Sequence, residues 1–143
     1  MPKSRFPGEY FKLIHIHAIS KADAALRPLG LTTAQSDVLR FLELRGDEPA
    51  TVQDISTHFG LRHPTVIGIL HRLESKGFIT TAPSAQDRRC RIVRTTTKAA
   101  EVSRVMEQMR DELDEQSARG FSDEELLLLR DFLARVYQNV SGC

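Results

Sequence analysis

The sequence lacks several features that would place it in a specialised class of protein. Its longest uninterrupted hydrophobic run is the four leucines at 126–129, far shorter than the ~20 residues of a membrane-spanning helix. Two cysteines far apart, Cys90 and Cys143, do not make a disulfide framework. The N-terminal stretch MPKSRFPGEYFK has no apolar segment with a small-residue cleavage site, so no signal peptide is predicted. These absences predict a cytoplasmic protein.

Motifs that would indicate catalysis are also missing. The chain contains no Gly-rich phosphate loop and no HExxH, GxSxG or CxxC motif. His15 and His17 are two residues apart on a predicted helix, so they point to different sides and cannot chelate a metal together. We therefore predict that the protein is not an enzyme and has no cofactor or metal site.

What the sequence does contain is typical of one globular domain. The 143 residues are 41% hydrophobic and 27% charged, with a net charge of +1, which predicts a single domain over residues 1–143. The charge is unevenly distributed. Residues 61–94 carry seven Lys/Arg against two acids, a net charge of +5, whereas residues 99–143 carry five arginines and ten acids, a net charge of −5. This asymmetry favours a polyanion as the partner of the middle segment.

Caps and glycines divide the chain into helices. The N-terminal helix is predicted from Glu9 to about Leu29, with apolar residues on more than one face, as at a subunit interface. Capping boxes predict where three further helices begin; they are Thr32–Gln35, Thr51–Asp54 and Ser122–Glu125. A long helix is predicted from about Thr97 to Arg119. Residues 78–82 and 90–95 predict a β-hairpin. The predicted fold is therefore mainly α with a small β-hairpin wing, a winged helix-turn-helix between terminal helices.

The segment RHPTVIGILHRLESKG, residues 62–77, is an unusual helix. Four apolar residues recur at helical spacing and are predicted to face the core; they are Val66, Ile69, Leu70 and Leu73. The other side carries a glycine, an outward isoleucine and basic residues, where a solvated face would carry Glu, Lys and Gln. A DNA recognition helix explains this face, because side-chain bulk clashes in a major groove only ~12 Å wide. The predicted DNA-contacting residues are Arg62, His63, Pro64, Thr65, Ile67, Gly68, His71 and Arg72.

Members of this set have different expected roles. The apolar side chains suit thymine methyl groups, the histidines and threonine suit base edges or phosphates, and the two arginines suit phosphates alone. Gly68 leaves room at the closest approach, although glycine costs ~1 kcal/mol of helix propensity relative to alanine. The alternative is an ordinary surface helix with solvated histidines, which leaves the charge asymmetry and the wing unexplained.

The tip of the hairpin is the second predicted site. Arg88 and Arg89 suit the narrow minor groove, where negative potential is focused, and Asp87 is expected to hold an arginine in position. The alternative is an exposed turn whose charges pair weakly, worth ~0–1 kcal/mol. Cys90 lies between Arg89 and Arg91. That setting would favour a thiolate and oxidant sensing, but the preferred interpretation is a small residue in a wing strand.

Residues 31–99 resemble the MarR family of bacterial transcriptional regulators. The similarity lies in LRHPTVIGILHRLESKGFI and above all in DRRCRIVRTTTKA. The family's wing pattern is Asp-x-Arg, then a short strand ending in Leu-Thr, and Asp87, Arg89 and Thr96 occupy the matching positions. Three departures are Thr95 in place of the leucine, Ala99 in place of a frequent glycine, and Arg62 in place of a capping serine.

The resemblance implies a homodimeric DNA-binding transcriptional regulator. Residues 31–96 would form the DNA-binding lobe, and residues 1–30 and 97–143 the helical dimerisation lobe. Two recognition helices about one turn of DNA apart would match the half-sites of a pseudo-palindromic double-stranded operator. Such a protein usually represses, and a small-molecule effector or another signal releases it from DNA. The alternative is a winged-helix protein–protein adaptor, which explains the outward Ile67 but not the wing arginines.

Overall fold

A computed structural model of the chain describes residues 7–142. In that range the elements are α1 (Gly8–Leu26), α2 (Thr33–Leu44), β1 (Ala50–Thr51), α3 (Val52–Phe59), α4 (His63–Ser75), β2 (Ile79–Pro83), β3 (Arg91–Thr95), α5 (Ala99–Ala118) and α6 (Asp123–Ser141). A short 3-10 helix, Arg27–Leu29, follows α1. The predicted class, mainly α with a small β wing, is confirmed. Residues 1–6, the start of the predicted dimerisation lobe, and Cys143 lie outside the described residues.

The described residues form two compact units. The first ends at Met109 and contains α1 to α4, the sheet and the first half of α5, while the second begins at Arg110 and contains the rest of α5 and all of α6. The predicted division into a DNA-binding lobe and a dimerisation lobe stays a prediction. No helix within residues 7–142 is long and apolar enough to cross a membrane.

Three helices begin at the capping boxes that the sequence predicts. At α2, Thr32 Oγ1 accepts a hydrogen bond of 3.2 Å from the Gln35 main-chain N–H, and Gln35 Oε1 accepts one of 3.2 Å from the Thr32 N–H. The same reciprocal pairs begin α3 and α6; they are Thr51 with Asp54 and Ser122 with Glu125. Each box satisfies two N–H groups that have no partner within the helix.

The sheet contains one strand more than the predicted hairpin. Its order is β1-β3-β2, with both pairs antiparallel. In β1, Ala50 lies opposite Val93 and Thr51 opposite Ile92. Two residues are too few for a period-two pattern, and their partners are distant in sequence, so no local signal predicts this strand. Since Thr51 is also the N-cap of α3, β1 ties the start of the helix-turn-helix to the sheet.

The core of the first unit packs the inner side of α4 against the sheet and the neighbouring helices. The four predicted core residues of α4 are all buried. They belong to one cluster with residues of α1, α2, α3, β3 and α5 and with the start of β2, among them Leu26, Leu39, Ile55, Phe78, Ile79, Val93 and Val102. Burying such an aliphatic or aromatic side chain contributes roughly 1.5–3 kcal/mol. The cluster therefore holds one side of α4 inward and leaves the other exposed.

Two helices expose large apolar side chains. Those of α1 are Tyr10, Phe11, Leu13, Ile14, Ile16 and Ile19. Those of α6 are Leu127, Leu128, Leu129, Phe132, Leu133, Tyr137 and Val140. Among its described residues α6 buries none. Exposed apolar surface of this extent is typical of an interaction surface.

Candidate nucleic-acid interface

A tight turn sets the start of α4 after α3. Gly60 adopts a φ of +63°, a backbone conformation that favours glycine. Ser56 Oγ donates a hydrogen bond of 2.5 Å to the carbonyl oxygen of Leu61, and the Leu61 N–H donates one of 3.1 Å to the carbonyl of Ser56. Arg62 follows as the N-cap of α4, and its side chain makes no capping hydrogen bond. The first turn of α4 thus begins with an arginine whose side chain is exposed.

The predicted contact residues of α4 lie on its outer side. All except the half-buried Gly68 are exposed, and Ile67 retains 46% of its accessible surface. Apart from its two chain neighbours and the backbone of α4 itself, a Cβ atom added at Gly68 would meet no heavy atom of the described chain within 4 Å, and its φ is not positive. Neither internal packing nor backbone conformation therefore requires glycine here.

The outer side of α4 contains no acid until its last turn. That acid, Glu74, is engaged by the wing, because its Oε1 accepts hydrogen bonds of 3.2 Å from the Thr81 N–H and 2.9 Å from Thr81 Oγ1. Before Glu74, the exposed charged side chains of the helix and its N-cap are the arginines Arg62 and Arg72. The face suits an anionic partner.

Two lysines anchor the C-terminal end of α4. Lys76 Nζ donates to the carbonyl oxygen of Gly30, in the connection between α1 and α2. Lys98 Nζ donates a hydrogen bond of 2.7 Å to the carbonyl of Lys76 and lies 4.6 Å from the ring centroid of Phe78. Cations near a helix C-terminus stabilise its unsatisfied carbonyl groups. The end of α4 is thereby linked both to the connection between α1 and α2 and to the start of α5.

The wing tip is shaped by Asp87. Its Oδ1 accepts a hydrogen bond of 3.0 Å from the Arg89 main-chain N–H, and its carbonyl accepts one of 3.0 Å from the Cys90 N–H. Asp87 thus holds Arg89 through its main-chain N–H. Arg88, Arg89 and Cys90 are all exposed, and the DNA contacts of the two arginines stay a prediction.

A shallow depression of about 170 Å³ separates α4 from the base of the wing. Its lining brings residues of four elements together; they are Val52, Ile67, Leu70, His71, Glu74, Thr81 and Arg91. Arg91 Nη2 donates a hydrogen bond of 2.7 Å to Thr81 Oγ1. Two of the lining residues, Ile67 and His71, are predicted DNA contacts.

The sequence does not predict that three of these residues, Glu74, Thr81 and Arg91, lie close together. Their proximity depends on the register of β2 with β3 and on the packing of α4 against β2. One weak signal in the sequence indicates which face of β3 carries Arg91: it lies two residues before Val93. Side chains two apart in a strand lie on one face, and Val93 faces the core.

Metal-ligating side chains do not cluster in the part of the chain that the structure describes. No group of three or more His, Cys, Asp and Glu side chains within residues 7–142 is arranged to hold a metal ion. His15 and His17 are exposed on α1.

Comparisons with known proteins place this geometry in context. A MarR family model matches residues 29–89, from the end of the 3-10 helix after α1 to the wing tip. The HTH-type transcriptional repressor IacR of Pseudomonas putida is 26% identical over 138 residues, which are 96% of this chain and 81% of that protein. A MepR variant from S. aureus, solved bound to an oligodeoxyribonucleotide, is 25% identical with a TM-score of 0.72 over 96% of this chain and 99% of its own. The reduced form of MarR from E. coli shares the fold, at 23% identity and a TM-score of 0.77 over 94% of this chain and 98% of its own.

Proposed function

We propose that this chain is a DNA-binding transcriptional regulator of the MarR type, to which it is similar, and that it is a cytoplasmic repressor that binds a pseudo-palindromic operator as a homodimer. It acts by binding and not by catalysis. The observation that carries the proposal is the outer side of α4, which combines exposed Ile67, a glycine that the fold does not require, and basic residues.

The proposal assigns one groove to each basic element. The side chains of α4 enter the major groove, where apolar groups meet thymine methyls and polar groups meet base edges. Arg89 enters the adjacent minor groove, with its main chain held by Asp87 at 3.0 Å. Arg62 and Arg72, at the two ends of the same helix, contact phosphates and set its register on the duplex. The net charge of +5 over residues 61–94 supplies attraction that does not depend on sequence.

Dimerisation is proposed from the exposed apolar side chains of α1 and α6. Tyr137 retains 68% of its surface and Tyr10 63%, and leaving many such groups in water is unfavourable by roughly 25 cal/mol per Å² of apolar area. A second copy of the chain that covers residues 1–30 and 97–143 would remove this surface from water. The two-fold symmetry of the dimer would then be matched by an inverted repeat in the DNA.

A signal, in the first place a small ligand, would release the protein from DNA through the contacts that anchor α4. Lys76 joins the end of α4 to Gly30, and Lys98 joins it to the start of α5. A ligand that favours a different position of α1 or α5 would therefore shift α4 through these two lysines. The ligand can lower DNA affinity only by as much as it prefers that second arrangement.

A winged-helix adaptor that binds protein is the second candidate, because Ile67 is an exposed apolar residue on the same side. The two readings differ in the partner that α4 and the wing engage. Selection of sequences from a random duplex DNA pool, followed by a salt titration on the selected sequence, separates them. We expect an inverted repeat and a steep fall of affinity with salt, ~0.9 in logarithmic slope per phosphate neutralised. Recovery of no sequence, with weak binding only, would overturn the repressor proposal and favour the adaptor.

A further inference from the structure

We propose that Arg91 is an additional DNA-contacting residue, a phosphate contact at the base of the wing, and that Thr81 and Glu74 are positioning residues that aim its guanidinium. The inference rests on the proposed function and deepens it. It adds to the recognition helix and the wing tip a third basic contact, which lies between them.

Three hydrogen bonds connect α4 to Arg91 through the wing. Glu74 of α4 accepts from the main-chain N–H and the hydroxyl of Thr81, at 3.2 Å and 2.9 Å. The Thr81 hydroxyl accepts from Arg91 Nη2 at 2.7 Å. A hydroxyl has one proton to donate and lone pairs to accept with. Because Glu74 receives the proton, the lone pairs of Thr81 are oriented toward the guanidinium.

The position of Arg91 is that of a phosphate contact. It lines the same depression as Ile67 and His71, so it lies between the helix assigned to the major groove and the wing tip assigned to the minor groove. A sugar–phosphate backbone separates two adjacent grooves of a duplex. An exposed cation placed between two groove-reading elements therefore meets that backbone. A guanidinium carries five N–H donors, and the bond to Thr81 leaves others to contact phosphate oxygens.

The same hydrogen bonds connect the recognition helix α4 to the wing. Glu74 is one turn beyond His71 on α4, and Thr81 pairs with Val93 in the wing. A change in the angle between α4 and the wing stretches the Glu74–Thr81–Arg91 hydrogen bonds. The phosphate contact thus depends on the correct spacing of the helix and the wing.

The first test is the salt dependence of operator binding by Arg91→Gln, with the operator selected by the unaltered chain. Glutamine keeps a hydrogen-bond donor and removes the charge. We expect the logarithmic salt slope to fall by about 0.9 for each copy of the chain bound. Between 50 and 200 mM salt, the affinity difference from the unaltered chain then shrinks about 3.5-fold per copy.

Arg94→Gln is the matched control. Arg94 is an exposed arginine of the same strand, but it lies beside Asp47 and Glu48 in a different depression, between the α2–β1 connection and β3. Its substitution removes the same charge from β3 without touching the Thr81 contact. We expect a smaller change of slope, and equal melting temperatures for both variants will show that the fold is unchanged.

The second test separates positioning from general stability. Thr81→Val keeps the β-branched shape and loses both hydroxyl hydrogen bonds, while Thr81→Ser keeps the hydroxyl. We expect Thr81→Val to lower the operator affinity and Thr81→Ser to restore it. In the Arg91→Gln background Thr81→Val should cause no further loss, since its effect acts through that side chain.

Each outcome supports or overturns a distinct claim. If the unaltered chain binds its selected operator with a steep slope while Arg91→Gln behaves as Arg94→Gln does, the Arg91 inference is wrong and the proposed function stands. A full effect of Thr81→Val in the Arg91→Gln background would show that Thr81 does not act through Arg91. If the unaltered chain selects no operator, the proposed function fails, and this inference fails with it.

Discussion

Arg45 Nη2, at the C-terminal end of α2, lies 3.7 Å from Asp54 Oδ2 in the capping box of α3. The same nitrogen lies 3.4 Å from Glu48 Oε1 and donates a hydrogen bond of 3.0 Å to the carbonyl oxygen of Pro49. One guanidinium thus joins the end of α2, the connection to β1 and the start of α3. Asp54 connects Arg45 to the start of the helix-turn-helix, because the same carboxylate accepts the Thr51 N–H.

Replacing Asp54 with alanine should destabilise the protein. The change removes the acceptor of the Thr51 N–H, at 2.9 Å, together with the charge that faces Arg45. Because the Thr51 side chain still caps α3, losing this half of the capping box should cost at most about 1 kcal/mol, which urea unfolding at pH 7 will measure. Glu48→Ala is the control, because it removes an acid from the same guanidinium without uncapping α3, and its effect should be smaller.

The destabilisation caused by Asp54→Ala should depend on pH. The hydrogen bond from the Thr51 main chain, helped by the Thr51 hydroxyl and Arg45, lowers the pKa of Asp54 from its ordinary 3.8. A carboxyl with a lowered folded-state pKa contributes stability that is present above its unfolded value and is lost as the pH falls through the folded value. The free-energy difference between the unaltered chain and Asp54→Ala should therefore shrink below about pH 3.8. A difference that grows on acidification would contradict the assigned cause.

Gly68→Glu should abolish operator binding and leave the fold nearly unchanged. The added side chain enters open space in the free protein but brings bulk and negative charge against DNA phosphates. We expect an affinity loss well above tenfold, more than about 1.4 kcal/mol, in a fluorescence anisotropy titration. Gly68→Ala is the control for helix propensity and should stabilise the helix by up to ~1 kcal/mol. Unchanged affinity of the glutamate variant would remove the groove assignment.

Arg89→Ala should weaken binding by about 1 kcal/mol and relax the preference for A/T-rich positions that flank the operator. The physical reason is the loss of a guanidinium from a narrow minor groove, where negative potential is strongest. Repeating the sequence selection with the variant will measure the preference. Arg88→Ala, one residue away at the same exposed tip, is the comparison. Equal flanking preferences in the unaltered chain and Arg89→Ala would mean that this arginine does not read the minor groove.

Phe132→Asp should give a folded monomer. Phe132 retains 54% of its surface, so a charge there costs the single chain little but opposes burial against a second copy. Sedimentation velocity will report the mass, with Gln138→Glu as a control charge on another exposed position of α6.

Truncation after Gly120 should also give a monomer, because the core residues from Leu26 to Val102 are retained. A stable dimer in either case would show that α6 is not the interface.

Much of the candidate site could be predicted from the sequence because helical periodicity sorts the residues of α4. Spacing of three and four residues identifies Val66, Ile69, Leu70 and Leu73 as buried. The remaining positions of α4 are then assigned to the outer side. Gly68 stands out within that outer side by composition alone. The arginines of the wing tip are recognisable by their place in a hairpin. None of these inferences requires knowledge of which distant segments touch.

The sequence by itself determined the local structure, namely the capped starts of α2, α3 and α6 and the inward and outward sides of α4, because residues three or four apart establish these features. The tertiary structure alone decided the pairing of β1 with β3, the contact of Arg45 with Asp54 and the Glu74–Thr81–Arg91 hydrogen bonds. Each of these depends on strand register or helix packing between segments that are separated in the chain. Such proximity has no signature in local periodicity, so it emerges only when the core brings the segments together.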